Sequence, residues 1–273
     1  MHRSVTRTDV LLAVEHVHLS FGDRVVLRDV NAEIRDLHRP GVEQGQVVSL
    51  LGPSGVGKTQ LFRILAGLSK PSSGQVRITD KRVPVTAGMV GVVDQHYTLF
   101  RHRTVGDNLT IAARQGGMQP GEARDRARAL LDRFQLADRW DEWPDRLSGG
   151  QRQRVAIAQQ LLCSEHFLLM DEPFSGLDPN MLAEVCRLIG EVATMDELRT
   201  IIVVTHDVAS ALTISDTVWL LGRDRVDGEA VPGARVQQSY DLIERGLTWQ
   251  PEVDQLPAFR DLLREIKERF RTL

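Results

Sequence analysis

Lys58 and Thr59 close the run Gly52-Pro53-Ser54-Gly55-Val56-Gly57-Lys58-Thr59, which pairs an ammonium and a hydroxyl with a glycine loop. That combination suits a polyphosphate. Gly52, Ser54, Gly55 and Gly57 bring successive backbone N–H groups around a phosphate at the positive end of a helix. Lys58 would then reach the β- and γ-phosphates and Thr59 a Mg²⁺ ion. The plainer reading is a glycine turn that only starts a helix. Context favours phosphate: the apolar run Val47 to Leu51 precedes the loop, and Leu61, Ile64, Leu65 and Leu68 follow at helical spacing, giving strand, loop and helix in order.

Other residues carry chemistry elsewhere. Leu147-Ser148-Gly149-Gly150-Gln151 is a second glycine loop opening a second helix, and it too could present N–H groups and a hydroxyl to phosphate. One chain cannot easily use both loops on one phosphate. Asp171 and Glu172 end the apolar run Phe167 to Met170, where adjacent carboxylates would repel unless a cation and a reacting water occupied them. Solvated or helix-capping acids are the bland alternative. Phe21, at the turn Gly22-Asp23, could stack on an adenine face or simply pack the hairpin end. Gln95 and His206 each lie just past a strand-like run. A lone histidine among eight is more often structural, so position alone does not promote it. Ser175-Gly176-Leu177-Asp178 reads on its own as a turn ending at Pro179.

The elements that must hold these groups alternate. Val17 to Phe21, Arg24 to Leu27 and the alternating Val30, Ala32 and Ile34 predict an antiparallel N-terminal meander beside the nucleotide strand. Asp36 to Gln46 is expected to be a polar surface loop. After a strand near Met89 to Val93, residues about 100–147 read as a helical insertion. Thr104 to Asp107 resembles a capping box, and Trp140 and Trp143 are expected to close the insertion's small core. Helices Gln151 to Leu162, Leu182 to Val192 and Val208 to Thr213 then alternate with strands Phe167 to Met170, Thr200 to Thr205 and Thr217 to Leu221. That order predicts an α/β fold with a largely parallel sheet covered by helices. Two helical patterns, Tyr240 to Leu247 and Pro257 to Thr272, are expected at the end.

The 273 residues, 42% of them hydrophobic, suffice for one large domain with a subdomain. The 34 Lys and Arg against 37 Asp and Glu leave a net charge of -3, with no global basic field for nucleic acid, so no nucleic-acid partner is expected. Cys163 and Cys186 form no close pair and read as core thiols of a reducing compartment. Met1 to Val10 has no apolar leader core, and the longest apolar runs are too short to span a bilayer. Any membrane role would come through a partner.

Taken together, the P-loop, Leu147 to Gln151 and Phe167 to Glu172 resemble the ATP-binding cassette (ABC) ATPases in type, order and spacing. The resemblance implies a P-loop NTPase (RecA-like) core with an N-terminal antiparallel β-subdomain and an inserted α-helical subdomain. It places an ATPase domain over about 10–228 and leaves 229–273 as a C-terminal helical extension. It also implies a head-to-tail dimer with a second copy or a homologous ATPase subunit. Each ATP is then held by one P-loop and by the partner's loop at Ser148, Gly149, Gly150 and Gln151, with Asp178 at the interface. Asp171, Gln95 and Thr59 would serve Mg²⁺, Glu172 would polarise the attacking water and His206 would reach the γ-phosphate. The remaining expectations are transmembrane permease subunits, a solute-binding protein acting through them, and a cytoplasmic place on the inner face of the membrane of an importer. Gln159-Gln160, where members often carry Arg-Ala, and the long 36–46 loop depart from the family pattern and bear on the subfamily. A soluble ABC ATPase of iron-sulfur assembly is the alternative, and a regulatory nucleotide-binding module without turnover is a second.

Overall fold

Six consecutive residues, Gln46–Leu51, are buried along one strand, β3, and its parallel neighbour Thr200–Thr205 is buried throughout as well. A strand hidden on both faces needs apolar side chains at every position. Val48 and Leu50 pack on one face of β3, while Val47 joins the cluster on the other. The computed structural model describes residues 5–38, 45–78, 83–164, 166–195, 200–250, 252–271 and 273.

In chain order the elements begin with β1 (Thr6–Phe21) and β2 (Arg24–His38), then β3, α1 (Lys58–Leu65), β4 (Ser73–Ile78), β5 (Val83–Pro84) and β6 (Gly91–Val93). Helices α2 (Val105–Gln115), α3 (Pro120–Arg133) and α4 (Gly149–Cys163) lead to β7 (Phe167–Asp171) and α5 (Pro179–Ala193). The chain continues with β8 (Thr200–Thr205), α6 (Val208–Ile214), β9 (Thr217–Val226), β10 (Glu229–Asp241) and α7 (Pro257–Phe270). Among the described residues the strands form one sheet in the order β5-β4-β1-β2-β10-β9-β3-β8-β7-β6. The half from β9 to β6 is parallel, and most of the other half is antiparallel.

The N-terminal hairpin forms as expected but does not lie beside β3. Strands β10 and β9 intervene, because β10 pairs with β9 along its length and meets β2 in parallel at Ala234 and Leu27. Residues 229–241 are therefore strand, not the start of a helical extension. The helix expected over Tyr240 to Leu247 is the end of β10 followed by a single turn. Asp241 accepts from the Glu244 amide at 2.9 Å, and Gly246, at φ 67°, ends the turn before a second can form. The apolar spacing there serves burial of Tyr240, Leu242 and Leu247 without a helix. Helix α7 matches expectation over Pro257–Phe270, while Thr272 lies outside the described residues. Of the expected 36–46 loop, residues 36–38 belong to β2, Gln46 opens β3, and 39–44 lie outside the described residues.

Helices α2 and α3 form the insertion and pack against α4. Thr104 caps α2 by accepting from the Asp107 amide at 3.1 Å. Trp140 lies where a side chain on Gly106 would sit, with the Arg128 guanidinium 4.4 Å from its ring centroid on α3. It joins the core as expected, but Trp143 is 43% exposed and does not. Cys163 and Cys186 are half-buried against the same core, and burial pushes both thiols up, Cys186 to about 11. No described helix is long and apolar enough to cross a membrane.

Asp216 ties the C-terminal region to the nucleotide strand. Fully buried, its carboxylate accepts from the Val47 amide at 2.8 Å and from Trp249 Nε1 at 2.9 Å, and its carbonyl accepts from the Leu242 amide at 2.9 Å. Asp216→Ala should strand the buried Val47 amide and the half-buried Trp249 indole N–H and lower the unfolding free energy by about 2–4 kcal/mol. Urea denaturation checks this, and an unchanged midpoint and slope would refute the role.

Candidate functional site

The glycine loop is shaped around its own lysine. Gly55 and Gly57 take φ values of 76° and 119°, which side chains resist, and a Cβ on Gly52 would stand 2.7 Å from the Leu221 carbonyl. Lys58, only 8% exposed, donates to the Gly52 carbonyl at 2.8 Å and to the Pro53 carbonyl at 3.3 Å. The first intrahelical bonds of α1 run from Gln60 and Leu61 to the Gly57 carbonyl, so the Lys58 and Thr59 amides open the helix without an acceptor inside it. Phe21, Arg24, Val26, Gly55, Lys58 and Thr59 line a depression of about 260 Å³ at this end. Phe21 is 58% exposed at its rim, where a flat ring offers a platform for a base.

The acids stand across from the lysine. Glu172 follows β7 at φ 48°, a left-handed conformation that costs a residue with a side chain about 1–2 kcal/mol. Several bonds hold it there. Its amide donates to the Val204 carbonyl at 2.7 Å, and its Oε2 accepts from Thr205 Oγ1 at 3.1 Å and from the His206 amide at 3.3 Å. His206 Nδ1 lies 2.8 Å from the same oxygen, which places the ring proton on Nδ1 if the carboxylate is ionised, and leaves Nε2 as the ring's acceptor. Lys58 Nζ stands 3.7 Å from Glu172 Oε1. Burial pulls the Lys58 pKa down against the opposing pull of Glu172, and burial, then Glu172, pushes the Asp171 carboxyl up against Lys58.

One lysine thus faces two carboxylates, with Asp94 adding to the load on Asp171. Thr59 offers a hydroxyl, Asp171 a carboxylate and Gln95 a side-chain carbonyl, and such hard oxygen donors fit Mg²⁺. Among the described residues no three His, Cys, Asp or Glu converge as a metal cage, so substrate phosphate would have to complete the coordination, as is usual for this ion. Gln95 donates through Nε2 to Ser175 Oγ at 3.3 Å, and Tyr97 donates to the Pro173 carbonyl at 3.4 Å, so the segment after β6 rests on the turn after Glu172.

The remaining expected residues sit apart. Ser148 caps α4 in a reciprocal box, accepting from the Gln151 amide at 3.3 Å while Gln151 Oε1 accepts from the Ser148 amide at 3.0 Å. Gly149 is exposed, and none of residues 148–151 lines the P-loop depression. Asp178 caps α5 through the Asn180 and Met181 amides at 2.9 and 3.1 Å. Ser54 is exposed in the loop. Sequence reasoning missed Thr205, which holds Glu172, and Arg24 and Val26 in the depression. Nothing in residue type marks them, although Thr205 directly precedes His206.

A family model for "ABC transporter" matches residues 39–175. A sulfate/thiosulfate import ATP-binding protein CysA of Xanthomonas campestris pv. campestris is 39% identical over 232 residues, covering 82% of this chain and 65% of the relative. The protein of the same name from Gloeobacter violaceus is 35% identical over 269 residues, covering 95% of this chain and 73% of the relative. The structure of cbiO1 from Clostridium perfringens, described as part of the ABC transporter complex cbiONQ, aligns with a TM-score of 0.73 at 27% identity and 97% coverage of both chains. The chain spans between 60% and 65% of the length of the first three curated relatives.

Lys58→Ala removes the cation that both carboxylates face and should weaken ATP binding about 100-fold. Equilibrium titration with a fluorescent ATP analogue tests this, and near-normal affinity would remove Lys58 from the site.

Proposed function

The chain belongs to the ABC transporter family of ATP-binding proteins, and from that premise we propose that it hydrolyses ATP to power a bacterial importer through separate permease subunits. One observation carries the reading: Glu172 is anchored by Thr205 and His206 at the strand ends and stands 3.7 Å from the P-loop lysine. The names of the relatives favour import. The solute would be chosen by the permease or a solute-binding protein acting through it. The subunit would work on the cytoplasmic face of the membrane.

The triphosphate lies in the loop Gly52 to Thr59 with its base on Phe21. Thr59, Asp171 and Gln95 would hold Mg²⁺, which would supply positive charge to offset that of the phosphates. Lys58 holds the γ-phosphate and takes up its developing charge. Glu172 accepts a hydrogen bond from the attacking water and polarises it, and His206 fixes that carboxylate through Nδ1 while Nε2 faces the reaction as an acceptor or, once protonated, a donor. Ser148, Gly149, Gly150 and Gln151 would serve the nucleotide of a second copy arranged head to tail, with Asp178 beside the join; Gly149 is exposed, and a Cβ on Gly149 or Gly150 would meet nothing of its own chain within 4 Å. The ATPase domain, expected over about 10–228, would extend through β10 to Asp241, since that strand pairs with β9 and β2, with the insertion as its helical subdomain.

The permease contact follows the segment after Gln95, with a division of labour. Leu99 is buried and Tyr97 half-buried against the core, so these two anchor the segment, while Phe100 is 43% exposed. Phe100 stands at a depression of about 270 Å³ with Thr98, Gln115, Gln159 and Cys163, which is suited to one helix of a partner.

Glu172→Gln should keep ATP binding, lose turnover by about 100-fold or more, and accumulate as a dimer with ATP on size exclusion. Adding Ser148→Arg should abolish that dimer. Retained phosphate release in Glu172→Gln would remove it as the base, and a persistent dimer would remove the composite site. Phe100→Asp should leave folding and ATP affinity intact but prevent recovery of the subunit with its permease from solubilised membranes. Normal assembly would place the contact elsewhere.

A further inference from the structure

The hairpin β9–β10 carries a charged cluster that the hydrolysis scheme leaves unused. Asp224 on β9 accepts from Arg235 Nε at 3.1 Å through Oδ1 and at 2.9 Å through Oδ2, and from Gln237 Nε2 at 2.9 Å, both donors on β10. Arg28 on β2 donates to its Oδ2 as well. Hydrogen bonds from Arg235 and Gln237 hold the Asp224 carboxyl down to about 2, so it stays charged in ordinary buffers. One carboxylate thus joins three strands. A single exposed ion pair contributes little, but two guanidiniums and an amide converging on one carboxylate form a network, the case in which surface charges fix geometry.

What the cluster holds lies next to the nucleotide loop. At β10 Gly233, φ 85°, a Cβ would stand 2.7 Å from both Arg28 Cβ and Val25 Cγ1, so the backbone of β10 presses directly on β2. One residue on, Ala234 pairs with Leu27. Across β2, a Cβ on Gly57 would stand 3.2 Å from Leu27 Cδ2 and 3.2 Å from Val26 Cγ1. Arg24 and Val26 line the depression beside Phe21. The stretch Arg24 to Arg28 is therefore held between β10 on one side and the P-loop on the other.

We propose that Asp224 is a positioning residue for nucleotide binding: through Arg28 it clamps the Arg24 to Arg28 stretch against Gly57, and so sets affinity for ATP without entering the hydrolytic step. This rests on ATP occupying the depression beside Phe21. Because the clamp shapes a wall of the site and touches no reacting atom, its loss should act equally on bound substrate and transition state. Such a loss raises KM and leaves kcat alone.

The test measures ATPase kinetics, binding of a fluorescent ATP analogue and thermal unfolding for the full chain and for Asp224→Asn, Asp224→Glu and Arg28→Gln. Asp224→Asn and Arg28→Gln should each raise KM and the analogue Kd about fivefold, with kcat within about twofold, and the double variant should lose no more than the worse single one. Asp224→Glu, which keeps the charge, should recover part of the affinity. A folded Asp224→Asn with unchanged KM, or one whose Tm falls while KM stays put, overturns the proposal by making Asp224 a stability residue. If Asp224→Asn does not fold, Arg28→Gln decides, and an unchanged KM there is equally fatal. Wild-type protein that binds no analogue would overturn the nucleotide reading and the clamp with it, whereas normal wild-type binding beside an unaffected variant sinks the clamp alone.

Discussion

Two carboxylates and one lysine, crowded at the ends of buried parallel strands, set the terms for the rest of the molecule. Asp171 and Glu172 are adjacent in the chain, and burial, then the neighbouring Glu172 charge, pushes the Asp171 carboxyl up. Lys58 offsets part of this, but it is itself desolvated and already donates to the Gly52 and Pro53 carbonyls. The residual negative charge asks for a cation, and the positively polarised loop asks for an anion. Both needs would be met by one ligand, a metal-bound polyphosphate. Glu172 is not left to find its own place. The Val204 carbonyl, the Thr205 hydroxyl and His206 hold it in a left-handed backbone conformation that nothing local favours.

That arrangement depends on a sheet of two kinds. The parallel half ends with β3, β7 and β8 delivering Gly52, Asp171 and Thr205 to one edge, the place where open α/β sheets bind ligands. The antiparallel half brings Phe21 and Val26 beside Gly55, Lys58 and Thr59 in the depression at the head of α1. Strand β10 joins the halves, pairing antiparallel with β9 and touching β2 in parallel at Leu27. The Phe21 and Val26 side and the Lys58 and Thr59 side of that depression therefore belong to segments distant in the chain, and on the proposed clamp their alignment would depend on how firmly β10 sits against β2.

What could be read from the sequence tracks how local its cause is. The loop Gly52 to Thr59, the run Phe167 to Met170 and the strand Thr200 to Thr205 were legible because residue type, periodicity and glycine placement all act within a few positions. The neighbours of β3 were not legible. That β10 and β9 separate it from the N-terminal hairpin is a matter of pairing between segments far apart in the chain, to which no window of residues is sensitive. Tyr240 to Leu247 misled for a related reason. Its apolar spacing suits a helix as well as a strand end and a turn, and the partner strand β9 decides between them. Trp143 misled because an aromatic near a small core is usually drawn into it, and here Trp140 alone fills the space against Gly106.

The same distinction bears on the second glycine loop. Ser148 and Gln151 satisfy each other in a capping box, so the loop is complete as local structure and needs no ligand to hold its shape. Its glycines are nonetheless free of crowding: a Cβ on Gly149 or Gly150 would meet nothing within 4 Å. Packing in this chain therefore does not explain the absence of side chains there. Close approach by an anion from outside the chain would explain it, since a bare backbone at a helix N-terminus admits an anion that a side chain would obstruct. On the proposed head-to-tail arrangement of two copies, this loop would meet the nucleotide held by the first loop of the other copy.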